Sequence, residues 1–307
     1  MPTRILIVKM SSLGDLFHAL PAVHLIKQAT GATIDWVVHD LYADLARCFT
    51  DVDRVIAFPR RAFLSNRKQF MAALRQEHYD LALDMQGLLK SALVARSARA
   101  ARRIGPSFHR EGTRVFYDDV AGPRNKNRHA VDENLDMVRH LGLPLGDVVF
   151  PVQFPAQPLA PPHPRIGLLP CSRRADKNWP PARLAEVARA LRDQVGASLI
   201  LLGSAADVPV CAELARTIGE GTTNLCGHTS MLELGGLIRE LDLLLTVDSG
   251  PMHIAAAVGT PTVAIFGPTD PVRTGPYGPR HTVVKQGETL ADLPAAPVLE
   301  AALRALR

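Results

Sequence analysis

The chain has no Cys-x-x-Cys pair: its four cysteines, Cys48, Cys171, Cys211 and Cys226, stand far apart. Neither a zinc site nor a disulfide framework is indicated, and a reducing cytoplasm is the expected setting. Aromatic residues make up only 5% of the sequence, which argues against a platform that stacks single-stranded nucleic acid. No apolar run approaches the roughly 20 residues that cross a bilayer. The opening run at residues 5–8 is too short for a signal peptide, and Asp15 follows without a cleavage-like segment. Missing too are GxGxxG after the first strand, GxxxxGK followed by Ser or Thr, HExxH and GxSxG. A nicotinamide dehydrogenase, a P-loop NTPase, a zinc protease and a serine hydrolase are thereby unsupported.

What is present is a hydrophobic fraction of 47% over 307 residues, enough to bury a large core in one or two domains. The formal charge of +5 is compatible with nucleic acid, an anionic membrane face or an acidic substrate, and does not choose among them.

The periodicity alternates between buried strands and helices, the mark of parallel α/β sheets. Residues 5–8, 34–38, 54–57 and 80–84 read as strands, and helices are expected after Asp15, with Pro21 kinking or restarting the first, and at 67–77, 88–101 and 131–141. Residues 151–164 hold six prolines in fourteen positions, a stiff connector and the best domain boundary. Beyond it the alternation restarts, with strands at 166–169 and 198–202 and helices at 181–194, 210–218 and 231–240. Two doubly wound, Rossmann-like domains facing a cleft are expected, at 1–150 and 165–307. The last helix, from Pro297, is a candidate to pack back on the first domain.

One stretch is richest in chemistry: residues 243–271, LLLTVDSGPMHIAAAVGTPTVAIFGPTDP. A strand stops at Asp248-Ser249-Gly250, and Pro251 opens a helix that ends at Gly259, before a further strand at 262–266. The helix N-terminus offers N–H groups and a partial positive charge, so an anion is expected there. The bland alternative is a small polar turn with no ligand.

The polar loops carry a resemblance. Lys9-Met10-Ser11-Ser12-Leu13-Gly14-Asp15 with His18-Ala19-Leu20-Pro21, then residues 84–91, DMQGLLKS, are similar to the lipopolysaccharide heptosyltransferases, inverting GT-B glycosyltransferases of family 9. So are His129-Ala130-Val131-Asp132, Asp176-Lys177-Asn178-Trp179-Pro180, residues 247–253 (VDSGPMH) and 266–271 (FGPTDP). The six motifs cover nearly the whole chain in order. The Ser-Ser-x-Gly-Asp form and the Arg60-Arg61 pair lean toward the type that adds the first heptose.

The resemblance implies Asp15 as general base on the acceptor hydroxyl, with Ser12 and Gly14 in its loop; a helix cap is the bland reading of Asp15. It implies ADP-heptose as donor, bound by Ser172, Arg173, Lys177, Asp207, Thr229, Asp248, Ser249, Gly250 and His253. Lys177 would meet the leaving group and Asp207 the ribose diol, as acids do after doubly wound strands. Asp248 is better suited to a sugar hydroxyl or to orienting its loop, because like charges repel. Arg173 stands where relatives often carry a second hydroxyl, a departure that adds positive charge. The bland readings are a solvated Lys177, a capping Asp207 and a buried structural His253. Arg60, Arg61, Lys90 and Arg110 would face Kdo-lipid A, whose carboxylates and phosphates need cations, and the same charge would hold the chain on the anionic cytoplasmic face of the inner membrane. No metal and no nucleic acid enter this reading. A transferase for another nucleotide sugar or acceptor, and a non-catalytic basic module, are the alternatives.

Overall fold

The computed structural model describes residues 2–125 and 127–307 and divides into two compact units, Met1–Gln153 and Phe154–Arg307. In the first, β1 (Arg4–Val8) leads into α1 (Leu13–Thr30), β2 (Thr33–His39), α2 (Ala43–Ala46), β3 (Arg54–Phe58) and α3 (Phe63–Leu74). Next come β4 (Tyr79–Asp84), α4 (Leu89–Ser97), β5 (Ala100–Pro106), β6 (Asp119–Ala121) and α5 (Ala130–His140). In the second, β7 (Arg165–Leu169) is followed by α6 (Pro181–Val195), β8 (Ser198–Leu201), α7 (Val208–Ile218), β9 (Thr222–Asn224) and α8 (Met231–Arg239). The chain then forms β10 (Leu243–Val247), α9 (Gly250–Val258), β11 (Thr262–Phe266), α10 (Pro271–Thr274), β12 (His281–Lys285) and α11 (Ala295–Ala305).

Each unit is one parallel six-stranded sheet, ordered β3-β2-β1-β4-β5-β6 and β12-β11-β10-β7-β8-β9. Counted from the start of each unit, both orders are 3-2-1-4-5-6, the dinucleotide-fold arrangement. Its direction of winding reverses between β1 and β4 in one sheet and between β7 and β10 in the other. In each unit, polar motifs fall on the loops at the carboxyl ends of those strands.

The central strands explain themselves: Ile5, Leu6, Ile7 and Val8 are fully buried, as a strand covered on both faces requires. Helix α1 continues through Pro21, where the sequence suggests a kink or restart. It is buried over most of its surface, so tertiary packing holds it despite the missing N–H. It ends at Gly31, whose positive φ of 66° lets its N–H reach the Lys27 carbonyl at 2.8 Å.

Other boundaries move for physical reasons. Helix α3 begins four residues ahead of expectation because Phe63 stacks on Phe58, with ring centres 5.2 Å apart. The proline-rich stretch is divided between the units instead of standing apart as a connector. Val152 bridges Phe49, and Gln153 donates to the Cys48 carbonyl, whereas Phe154 is buried against Gly235 of α8. Arg165 then ties down the carbonyls of Leu159 and Pro161. Helix α11 packs within its own unit, on α6 and β10–β12. Among the described residues no helix is long and apolar enough to cross a membrane.

Candidate active site

At the first switch point the loop after β1 is locked to the loop after β4. Gln86 Oε1 accepts from the Met10 and Ser11 N–H groups, both at 3.1 Å, and the buried Lys9 donates to the Met85 carbonyl at 2.5 Å. Beneath them Asp84 is wholly buried. Its Oδ1 accepts from the Gln86 and Gly87 N–H groups at 2.8 and 3.0 Å, and its Oδ2 from the Tyr117 hydroxyl at 2.7 Å. Gly87 has a φ of 72°, and a Cβ there would lie 2.8 Å from Pro106 Cγ and 3.0 Å from His109 Cα, so only glycine fits.

Burial pushes the Asp84 carboxyl above the usual carboxylate range, against the hydrogen bonds that lower it. A raised folded-state value means that the contribution to stability is full below about pH 3.9 and fades as pH climbs through the raised value. Asp84→Asn keeps the oxygen that accepts two N–H groups and offers Tyr117 an N–H, so we expect it to fold and to lose that pH dependence. Asp84→Ala strands three polar groups and is expected to cost about 2–4 kcal/mol, from about 1–3 for each unpaired buried group with partial relaxation. Thermal melts of both variants from pH 4 to 8 check this.

That scaffold presents Asp15. Its Oδ2 accepts from Ser12 N–H at 2.7 Å and from Ser12 Oγ at 2.8 Å, a Ser-x-x-Asp capping arrangement in which Ser12, not Asp15, is the helix cap. Oδ1 turns toward His18, whose Nδ1 is 4.0 Å away, and the side chain stays 40% exposed. The two oxygens thus divide the work: one holds the loop, the other meets solvent. Gly14 is buried in the first turn of α1. His18 packs edge-on against His129, whose Nδ1 caps α5 by accepting from Val131 N–H at 3.1 Å.

The expected acceptor cations lie on the same carboxyl edge. Arg60 and Arg61 follow β3, Lys90 opens α4, and Arg110 follows β5; all four are exposed. Arg110 N–H donates to the Gly87 carbonyl at 2.8 Å. Lys90 Nζ sits 5.7 Å over the Phe58 ring, and His39, at the end of β2, packs edge-on against the same ring at 5.6 Å. His39 was not singled out from the sequence. It is buried, its Nδ1 has no hydrogen-bond partner among the described residues, and burial, then the charges of Lys90 and Arg60, hold its pKa below the ordinary range.

At the second switch point Lys177 Nζ donates to Asp248 Oδ2 at 2.6 Å, and Thr269 Oγ1 donates to the same oxygen at 2.6 Å. The pair links the loop after β7 to the turn between β10 and α9. Asp248 thus holds two side chains in place, and Lys177, 17% exposed, is not a loose surface lysine. Thr269 was legible only as part of its motif. Ser249 caps α9, but its Oγ lies 3.1 Å from Thr246 Oγ1 and makes no hydrogen bond to the helix. Gly250 is the first residue of α9, and His253, one turn in, is buried.

The remaining donor candidates follow neighbouring strands. Ser172 Oγ donates to the Arg174 carbonyl at 2.8 Å, and Ser172 N–H to Asn178 Oδ1 at 2.7 Å, so this hydroxyl shapes its own loop. Arg173 is exposed, whereas Arg174 pairs with Asp176. Asp207 Oδ2 accepts from Ser204 N–H at 2.8 Å and Ser204 Oγ at 2.7 Å, repeating the Ser12–Asp15 device. Burial, then the Asp207 carboxylate, pushes the Cys171 thiol up to about 11, which places Asp207 beside the Ser172 loop. Thr229 is half-buried just ahead of Ser230, the cap of α8.

Two dinucleotide-type sheets, each with polar loops at its switch point, are the architecture of the GT-B class. The chain belongs to glycosyltransferase family 9, the heptosyltransferases, whose profile matches residues 67–296. It is 32% identical to lipopolysaccharide heptosyltransferase 1 of Escherichia coli over 97% of this chain and 98% of that one. The enzyme of the same name from Pseudomonas aeruginosa is also 32% identical, over 97% of this chain and 86% of that one. The structure of E. coli heptosyltransferase WaaC with ADP superposes with a TM-score of 0.89 at 28% identity, covering 99% of this chain and 100% of that one.

Proposed function

We propose that the protein transfers heptose from ADP-L-glycero-D-manno-heptose to the Kdo-lipid A inner core of lipopolysaccharide, with inversion and without a metal. The supporting observation is a pair of fixed charges: a part-exposed carboxylate at one switch point and a lysine oriented by Asp248 at the other. Asp15 Oδ1 takes the proton of the acceptor hydroxyl as its oxygen bonds to the anomeric carbon. The bond from that carbon to the β-phosphate oxygen breaks, and ADP departs with the electron pair. Lys177 and Arg173 meet the growing phosphate charge, together with the N-terminus of α9 at Ser249 and Gly250. Asp207 takes the ribose diol with the oxygen that Ser204 leaves, and Thr229, Ser172 and His253 complete the donor contacts. Arg60, Arg61, Lys90 and Arg110 bind the carboxylates and phosphates of an acidic, lipid-linked acceptor at the cytoplasmic face of the inner membrane.

The first test is thermal stabilisation by ADP, UDP, GDP and CMP. ADP is expected to stabilise alone, by about 2.7 kcal/mol at 100 times its Kd. Equal shifts with UDP or GDP would redirect the reading to another donor. Turnover of ADP-heptose with Kdo-lipid A is expected to survive EDTA; its loss on chelation and return with a divalent ion would sink the metal-free mechanism.

A further inference from the structure

The ion pair at the second switch point does not stop at Asp248. Its Oδ2 accepts from Lys177 Nζ and from Thr269 Oγ1, both at 2.6 Å, and the Thr269 carbonyl accepts in turn from Lys285 Nζ at 3.0 Å. Lys285 ends β12 in register with Phe266, the last residue of β11, and its ammonium reaches past that strand end into the loop before α10. The contacts form one row across the carboxyl ends of β7, β10, β11 and β12, which are neighbours in the sheet.

A lysine at the end of an edge strand ordinarily points to solvent and blunts the edge. Lys285 turns inward instead: its side chain is 25% exposed, and its ammonium meets a main-chain carbonyl. Its other partner, Glu288 Oε1 at 3.3 Å, belongs to a side chain 79% exposed, so water screens that pair and it contributes little. The loop is also anchored on either side of Thr269. A Cβ on Gly267 would lie 2.8 Å from Leu290 Cγ, and Asp270 Oδ1 caps α10 by accepting from Val272 N–H at 2.9 Å. Between these anchors, Lys285 holds the Thr269 peptide.

Threonine is branched at Cβ and stiff about χ1, so its hydroxyl goes where the backbone carries it. Fixing the carbonyl therefore aims Oγ1 at Asp248. An oxygen shared with a hydroxyl holds the lysine ammonium less exclusively than one that meets it alone. With Thr269 turned away, Asp248 and Lys177 close on each other, and the ammonium is withheld from a phosphate.

We propose that Lys285 is a positioning residue for the leaving-group lysine, acting through Thr269 and Asp248. The inference rests on the part given to Lys177 in the preceding reading and deepens it by naming what keeps that lysine aimed.

The test is turnover of ADP-heptose with Kdo-lipid A by Lys285→Met, which keeps the stem and loses the donor. Its kcat is expected to fall about tenfold, within the roughly 10²-fold that a misplacement of about 1 Å costs. KM for ADP-heptose is expected to change less than about twofold, because the aimed bond is made to charge that grows in the transition state. Lys285→Arg keeps a donor and is expected to retain most of the rate. Thr269→Val, which removes only the hydroxyl, is expected to lose as much as Lys285→Met. Added to Thr269→Val or to Lys177→Ala, Lys285→Met is expected to cost less than about twofold more, because residues acting in series are not additive. A residue needed only for the fold would multiply its loss onto both backgrounds. Glu288→Gln breaks the exposed ion pair, spares the carbonyl bond and is expected to keep the wild-type kcat. Should Lys285→Met not fold, Lys285→Gln, with its shorter side chain, takes its place in every comparison. Undiminished kcat in the Lys285 variant, its full loss repeated on Lys177→Ala, or an equal loss in Glu288→Gln overturns the proposal. Full turnover in Lys177→Ala would sink the leaving-group role as well, a result distinct from losses that multiply.

Discussion

Asp15→Asn is expected to lower turnover by about 10²- to 10⁴-fold, the usual contribution of a positioned general base, with the fold intact. The geometry makes this substitution more informative than alanine. An asparagine oxygen can still accept from Ser12 N–H and Ser12 Oγ, the two bonds that now converge on Asp15 Oδ2. What it cannot do is take a proton through the outward-facing oxygen. Asp15→Ala loses both roles and is expected to cost about 1 kcal/mol of stability as well, the typical worth of a helix cap. The two variants should therefore match in turnover and differ in melting temperature, while ADP stabilises both. Full activity in Asp15→Asn would remove Asp15 from the chemistry and leave it only a partner of the Ser12 cap.

Lys177→Ala is expected to reduce turnover by about 10- to 150-fold, which corresponds to one charge-assisted hydrogen bond of about 1.5–3 kcal/mol to the leaving phosphate. It also undoes an ion pair whose side chains are 17% and 10% exposed, leaving the Asp248 carboxylate with Thr269. An unpaired acceptor of that kind costs about 1–3 kcal/mol. The double variant Lys177→Ala, Asp248→Asn separates the effects: stability should largely return, because no charge is stranded, while turnover should not. If stability and turnover recover together, the lysine acts only through the fold. Lys177→Arg should restore part of the rate, since its fork keeps the charge but not the compact point donor.

Much of this was legible in the residues. Continuous apolar strands such as Ile5–Val8 and Leu243–Val247 announce a parallel sheet, and Gly31 and Gly259 mark helix ends. The strands that escaped notice are those whose sequence does not follow burial. β5 carries an exposed Arg102 and a half-buried Arg103 on its opening half, so it reads as a basic segment. β9 is three polar residues, Thr222–Asn224, and β12 is only partly buried, as edge strands are. Within the sites, sequence names residues but not their partners. The Lys177–Asp248 pair spans 71 positions, and Gln86 reaches back 75 and 76 to the loop of Ser11 and Met10. Such contacts come from strand order, which no local pattern records. His39 was missed for the same reason: it ends a strand as any residue could, and only Phe58, Lys90 and Arg60 around it give it meaning.

The cut at Gln153–Phe154 has an evolutionary consequence. Each half carries a complete sheet in the same order, and each draws its own recognition residues from loops that begin and end inside it. With the roles proposed above, change in the loops around Arg60 or Arg110 would re-tune what receives the sugar without touching Lys177 or Asp207, and the reverse would hold for the nucleotide. A chimera joined between Gln153 and Phe154 is therefore expected to keep both sheets whole, which its thermal melt would check.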